Sequence, residues 1–205
     1  LGIPSSFKKS SVNFLCGNMV DCYKDEELLD LLKAGLILDS VAIKRLCDKG
    51  FSQYIGVTTT SEKVNVPSAE VLDNQEYSGP FTGNLLPTDY MRLDLKNIDI
   101  PVLKLSDYAF SISSIIDQEK KKICEGVVLY ENTLGGRVCC LPVHIATWQF
   151  AYRSRAQQLV NIIKWLSKDT FPILIHDSPN ITPFYYKDQQ TDEGLLALVN
   201  TGLDT

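Results

Sequence analysis

Nucleophilic catalysis by a thiol needs a base within hydrogen-bond reach, so the two histidines and six cysteines of this chain are the first residues to weigh. His144 is followed by Ile145-Ala146, while His176 directly precedes Asp177, and neighbours in a strand face opposite ways. The cysteines are Cys16, Cys22, Cys47, Cys124, Cys139 and Cys140. They form no C-x-x-C pair and have no His at ligand spacing, which argues against zinc; no metal or cofactor is called for. Adjacent Cys139 and Cys140 in a strand would point to opposite faces and could not share a site. Buried free thiols acting as small hydrophobes are the plain reading. A Cys16–Cys22 disulfide stays open, and with it the compartment.

Two further groups could bind a ligand. Asp39 and the Gly17-Asn18 turn each follow a short apolar run where a helix begins. In an open parallel sheet such turns line the carboxyl edge, where ligands bind if they bind at all, which makes Asn18 and Asp39 weak binding candidates. Helix capping and turn formation account for both without a ligand. Trp148-Gln149-Phe150-Ala151-Tyr152 sets three aromatics at period two, so Trp148, Phe150 and Tyr152 would share one face of an extended segment. Exposed, that row would suit stacking on sugar rings; buried against the following helix, it would be core, the commoner role of large aromatics.

The elements that would position these residues begin with Val12 to Val57, which reads as strand, helix, strand, helix, strand. Val12 to Cys16, Leu36-Ile37-Leu38 and Tyr54 to Val57 are the apolar runs. In the first helix Asp25-Glu26 suit the positive end of the dipole and Leu28, Leu29 and Leu32 form the buried stripe. Asp39 caps the second, whose apolar face is Ala42, Ile43, Leu46 and Cys47, and Gly50 ends it. Strands alternating with helices argue for a parallel sheet covered on its faces. From Thr58 to Asn97 the periodicity fades into loops with short strands, and so long a stretch reads as an insertion over a scaffold. Ile100 to Leu105 and Tyr108 to Ile116 alternate as half-buried strands. Val127 to Tyr130 and Arg137 to Leu141 make a hairpin about Asn132 to Gly136. Ser154 with Gln157 is a capping-box pattern, followed by Leu159, Ile162, Ile163 and Leu166 at helical spacing as far as Lys168. Beyond Pro172, the runs Ile173 to Ile175, Thr182 to Tyr186 and Leu195 to Val199 read as strands that would pair antiparallel.

Composition bounds the function. With 205 residues, 44% of them hydrophobic, the chain suffices for a domain or a domain and a half. A formal net charge of -5 offers no basic field for nucleic acid or an anionic membrane, and Lys120-Lys121-Lys122 reads as a solvated turn. No apolar run approaches the ~20 residues that a membrane helix needs. A chain that opens Leu1-Gly2-Ile3-Pro4 is expected to be cut from a longer one.

The residues Leu1-Gly2-Ile3-Pro4, Glu26-Glu27-Leu28, Leu31 to Asp39, Ala42, Leu46, Lys49-Gly50-Phe51 and Ile55-Gly56-Val57 resemble the region that follows the catalytic barrel in bacterial β-galactosidase-like glycoside hydrolases. Glu131 to Val138 and the helix from Arg155 to Leu166 resemble its closing strand and helix. That region is a class I glutamine amidotransferase-like domain, akin to the trimerisation domain of family 42 β-galactosidases. The resemblance implies an α/β fold, a flavodoxin/amidotransferase-like parallel sheet with a β-rich insertion at about 58–125, in a domain spanning 1–170. A β-rich C-terminal extension would occupy 171–205.

Glycoside hydrolysis needs two carboxylates on a rigid frame, about 5 to 5.5 Å apart for retention or 6.5 to 9.5 Å for inversion. In the resembled family these lie on the barrel. A barrel takes about 250 residues, and at most three strand-helix units are legible here. Amidotransferase chemistry resembles G-x-C-x-G with a partner H-x-E, whereas Cys16 stands in Phe14-Leu15-Cys16-Gly17-Asn18 and His144 precedes Ile145-Ala146. The expectation is a non-catalytic structural or oligomerisation domain of a glycoside hydrolase. Its partner would be the parent's catalytic barrel or a second subunit, contacted through apolar residues around Leu28 and Leu32 and around Phe81, Leu85 and Leu86. A carbohydrate-binding module and a degenerate amidotransferase-like hydrolase using Cys16 are the alternatives.

Overall fold

The computed structural model describes residues 3–4, 10–64, 69–88, 100–144, 148–170, 173–175, 181–188, 190–191 and 193–200, without the side chains of 63, 148 and 150. His176 lies outside them.

The first strand, β1 (Val12–Leu15), leads through a 3-10 turn (Gly17–Cys22) into α1 (Asp25–Leu31). Three acidic residues fill the first turn of α1, and the Glu27 carboxylate accepts the Lys24 backbone N–H at 2.7 Å, completing half a capping box around a non-capping lysine. The fully buried β2 (Gly35–Leu38) and α2 (Ser40–Asp48) follow. β1 and β2 pair in parallel.

The apolar run at Tyr54 to Val57 is not a third parallel strand. Ser52–Ile55 form the short helix α3, which ends at Gly56 with φ +73, and β3 (Val57–Lys63) starts only there. A Cβ on Gly56 would lie 2.3 Å from the Tyr130 ring, so a glycine is needed for the approach as well as for the backbone angle. Four apolar residues here divide between a helix end and a strand start, a case that periodicity cannot resolve.

The next segment holds β4 (Ala69–Val71), α4 (Gln75–Ser78), β5 (Leu85–Pro87) and β6 (Pro101–Leu105). The stretch Tyr108 to Ile116 is also divided, into β7 (Phe110–Ser111) and β8 (Ser114–Ile116). Between them the Ser113 hydroxyl accepts the Val127 backbone N–H at 2.6 Å and donates to Glu70 Oε1 at 2.6 Å, so the chain changes sheets there. After β9 (Lys122–Glu125) come β10 (Val128–Glu131) and β11 (Arg137–Cys140), joined as the expected hairpin. Asn132 organises its turn: Nδ2 donates to the Leu32 and Tyr54 carbonyls at 2.9 and 3.1 Å, and Oδ1 accepts the Leu134 and Gly136 N–H groups.

Helix α5 (Arg153–Leu166) has Tyr152 as its N-cap, so Ser154 and Gln157 make no capping box. Ser154 is already inside the helix and buried. Of the C-terminal runs, β12 (Ile181–Lys187) and β13 (Gly194–Asn200) pair antiparallel as expected, while Ile173–Ile175 form no strand.

Among the described residues the main sheet has the order β1-β2-β11-β10-β7. β1, β2 and β11 run parallel, whereas β10 runs antiparallel to both of its neighbours, β11 and β7, so the sheet is mixed rather than all-parallel. A two-stranded sheet (β3-β6) and a four-stranded one (β5-β4-β8-β9) make the α/β chain β-rich. Alternation puts Leu36, Leu38, Val138 and Cys140 on the face packed by α1, α2 and α3, and Ile37, Leu129 and Cys139 on the face packed by α5. Cys139 and Cys140 thus enter two different cores. Leu28, Leu32 and Leu86 are buried, which removes them from any docking surface and leaves Leu85 exposed and Phe81 half-buried. Apolar exposure is concentrated on the C-terminal hairpin, at Tyr186, Leu195, Leu196, Leu198 and Val199.

Candidate functional site

The carboxyl ends of β1, β2 and β11 bring together Cys16, Asp39 and the segment leading to His144. Asp39 caps α2 with Oδ1, which accepts the Ala42 N–H at 2.9 Å. The same oxygen accepts the Gly17 N–H at 2.8 Å, tying the turn after β1 to the start of α2. Its other oxygen, Oδ2, is buried without a hydrogen bond, and His144 Nε2 stands 3.8 Å from it. Leu141 N–H donates to the Leu38 carbonyl at 2.8 Å and Ser40 N–H to the Val143 carbonyl at 3.3 Å, which carries the chain after β11 across the same edge. The carboxylate therefore ties two turns together, and backbone bonds bring the third segment beside it.

Cys16 meets this carboxylate in the wrong sense for a nucleophile. Burial first, and the Asp39 charge second, push its thiol up to about 12. A reactive cysteine needs the reverse, a cationic or helix-N-terminal setting that favours the thiolate. Burial likewise raises Cys124 to about 11 and holds Cys139 and Cys140 well above the ordinary thiol range. All six cysteines are free, so the open Cys16–Cys22 pairing is not made. Among the described residues no group of three or more His, Cys, Asp or Glu could hold a metal ion.

Of the other sequence candidates, Asn18 is exposed and accepts a long 3.5 Å hydrogen bond from Arg45, which also faces Asp21 at 3.7 Å. Exposed pairs of this kind contribute little. The segment Trp148–Ala151 is a 3-10 helix and not an extended strand. Tyr152, the N-cap of α5, is 43% exposed. The side chains of Trp148 and Phe150 lie outside the described residues.

A second polar centre had no local signal. Arg155, wholly buried on α5, forms an ion pair with the wholly buried Glu70 of β4. Its guanidinium also donates to Gln149 Oε1 at 2.6 Å and to Gln158 Oε1, and Gln158 Nε2 reaches Ser78 Oγ at 3.5 Å. With Ser113 on Glu70, the network clamps the four-stranded sheet to α5. Its members are separated by as many as 85 positions, and in the sequence Arg155 is one charged residue near the start of a helix.

No protein-family model matches the chain, and no curated protein matches it either. Among solved structures, the chain is similar over 95% of its length to part of an α-L-fucosidase, isoenzyme 2 from Paenibacillus thiaminolyticus, at TM-score 0.62 and 11% identity. It spans 30% of that protein's length. A likeness to the mmIFT52 N-terminal domain, covering 72% of each chain at 13% identity, has a TM-score of 0.47. At such identities the first likeness establishes a shared fold: a mixed α/β unit also found within a glycoside hydrolase.

Proposed function

We propose that the chain serves as a non-catalytic architectural domain of a glycoside hydrolase, of the amidotransferase-like kind that its sequence resembles. On this reading residues 1–170 form the α/β unit with its β-rich insertion, and 171–205 begin a β-rich extension. The observation that carries the reading is the fold shared over 95% of the chain with a part making up 30% of an α-L-fucosidase. The carboxyl edge supports it chemically, because Asp39 spends one oxygen on two backbone donors, and burial, with the Asp39 charge second, raises the Cys16 thiol instead of activating it. The partner would be the catalytic barrel of the parent protein or a second subunit. Apolar residues with 42% to 65% exposure on β12 and β13 supply a surface for such packing, since contiguous apolar patches on soluble proteins mark interaction sites.

Sedimentation of the isolated chain, with co-purification against the parent's barrel, tests the reading. Self-association or a stable complex is expected, with on the order of 800 Å² buried per partner. A strictly monomeric chain that ignores the barrel would count against it.

A further inference from the structure

The strand β13 reads Gly-Leu-Leu-Ala-Leu-Val-Asn, an apolar run without a charge, and every residue of it is exposed. In its register with β12, Leu195, Ala197 and Val199 share one face with Phe184 and Tyr186, and Leu196 and Leu198 share the other with Pro183 and Tyr185. Apolar residues on both faces are the pattern of a strand inside a sheet, not of one at its border. Among the described residues, however, β13 pairs with β12 alone. It also lacks the lysine, proline or bulge with which natural proteins guard an open edge.

The hydrogen-bond phase of the hairpin fixes which backbone groups that edge presents. The Asp188 N–H donates to the Glu193 carbonyl at 2.9 Å, which makes these two a hydrogen-bonded pair at the turn end of the hairpin. Alternation then turns the N–H and C=O groups of Leu195, Ala197 and Val199 towards β12, and those of Gly194, Leu196 and Leu198 outwards. Pro183, opposite Leu198, fits the same phase, because its missing N–H falls where no bond to β13 is made.

We propose that β13 pairs antiparallel with the β13 of a second copy of this chain, about a two-fold axis at Ala197, so that two hairpins form one sheet. Centred there, the strand is self-complementary: Leu196 meets the partner's Leu198 and Leu195 meets the partner's Val199, apolar against apolar on matching faces. The outward groups of Leu196 and Leu198 bond those of the other copy across the axis, and Ala197 faces its own copy in the close, non-hydrogen-bonded position. Cα atoms there approach to about 4.5 Å, which suits a methyl side chain. Moving the axis to Leu196 would shorten the ladder and set Glu193 opposite the partner's Val199. A charged strand laid on this edge would strand its charges between leucines, whereas an uncharged copy of the same edge leaves none unpaired. A two-fold axis also closes the contact at two copies instead of propagating it as a fibre. The strand is roughly 23 Å long, and its edge alone is narrower than the ~800 Å² per partner of a standard interface. The dimer is therefore expected to be weak, with Kd on the order of 10–100 μM. The pairing rests on the architectural reading for its purpose, and commits its partner to a second copy.

Sedimentation of the whole chain at concentrations on either side of that Kd tests the pairing, and a monomer–dimer equilibrium is expected. Leu198→Pro removes an outward N–H and leaves the bonds to β12 in place, so it should raise Kd at least about tenfold. Ala197→Lys, which sets two ammonium groups face to face at the axis, should do the same with the backbone unchanged. In a Cys22→Ser background, which removes the exposed thiol, Ala197→Cys should link two copies under mild oxidation. Leu195→Cys should not, because its counterpart in the second copy lies roughly 14 Å away along the strand. A chain monomeric throughout, assemblies larger than a dimer, a dimer indifferent to both edge substitutions, or equal linking by Ala197→Cys and Leu195→Cys would overturn the proposal. A monomeric chain that still binds the parent's barrel would overturn the pairing alone and leave the architectural reading standing.

Discussion

Asp39 and Glu70 are both fully buried carboxylates, yet they are held by different chemistry. Asp39 is met by backbone N–H groups of Ala42 and Gly17, within and beside its own turn. Glu70 is met by the Arg155 guanidinium and the Ser113 hydroxyl, brought from other elements. The first arrangement forms as soon as α2 and the edge of the sheet form. The second exists only when the insertion sheet has docked on α5, so it reports tertiary assembly. A backbone-held carboxylate also keeps its hydrogen bonds when its neighbours are changed, whereas a buried ion pair is vulnerable at either end.

The largest effect is therefore expected at the ion pair. Arg155→Met strands Glu70 and should lower stability by about 3–5 kcal/mol, whereas Glu70→Leu with Arg155→Met should recover most of the loss. Urea denaturation measures both. A single variant within about 1 kcal/mol of the parent would erase the contrast with Asp39.

Asp39→Ala should be milder, about 1–2 kcal/mol on the scale of N-cap loss, and Asp39→Ser milder still because serine also caps. Thermal unfolding of the two variants would sharpen the comparison. A loss at Asp39 exceeding that at Arg155 would reverse it.

A smaller and graded effect belongs to the thiols. Their folded-state values lie above the ordinary 9.0, at about 11 for Cys124 and about 12 for Cys16, so the unfolded chain gives up its thiol protons first as pH rises. This contribution to stability is complete below pH 9.0 and is lost as pH climbs towards 11 and 12, so the denaturation midpoint should fall in alkali. Native alkylation of Cys16 should be slow at neutral pH for the same reason. Rapid single-site labelling of Cys16 would revive the hydrolase alternative.

The same contrast explains what could be read from the sequence. Asp39, the leucine stripe of α1, the β10–β11 hairpin and the apolar spacing of α5 are local patterns, and each element appears where its pattern stands. Local patterns failed where one run served two elements. Tyr54 to Val57 is cut by the left-handed Gly56, and Tyr108 to Ile116 by the Ser113 contacts that send β7 and β8 to different sheets. Ser154 has the composition of a cap but sits inside the helix, one residue before the Arg155 that pairs with Glu70 in the core. The approach of His144 to Asp39 depends on β11 lying beside β2, which pairs residues about a hundred positions apart, a juxtaposition that no spacing in the sequence signals.

An architectural domain would carry no glycosidic chemistry of its own, and turnover measures that directly. Incubated with nitrophenyl β-galactoside and nitrophenyl α-L-fucoside, the chain and its Asp39→Asn variant are both expected to release nitrophenol no faster than buffer, because both buried carboxylates are closed off from solvent and from a substrate. Release by the unmodified chain that disappears in Asp39→Asn, with the variant still folded, would contradict the account.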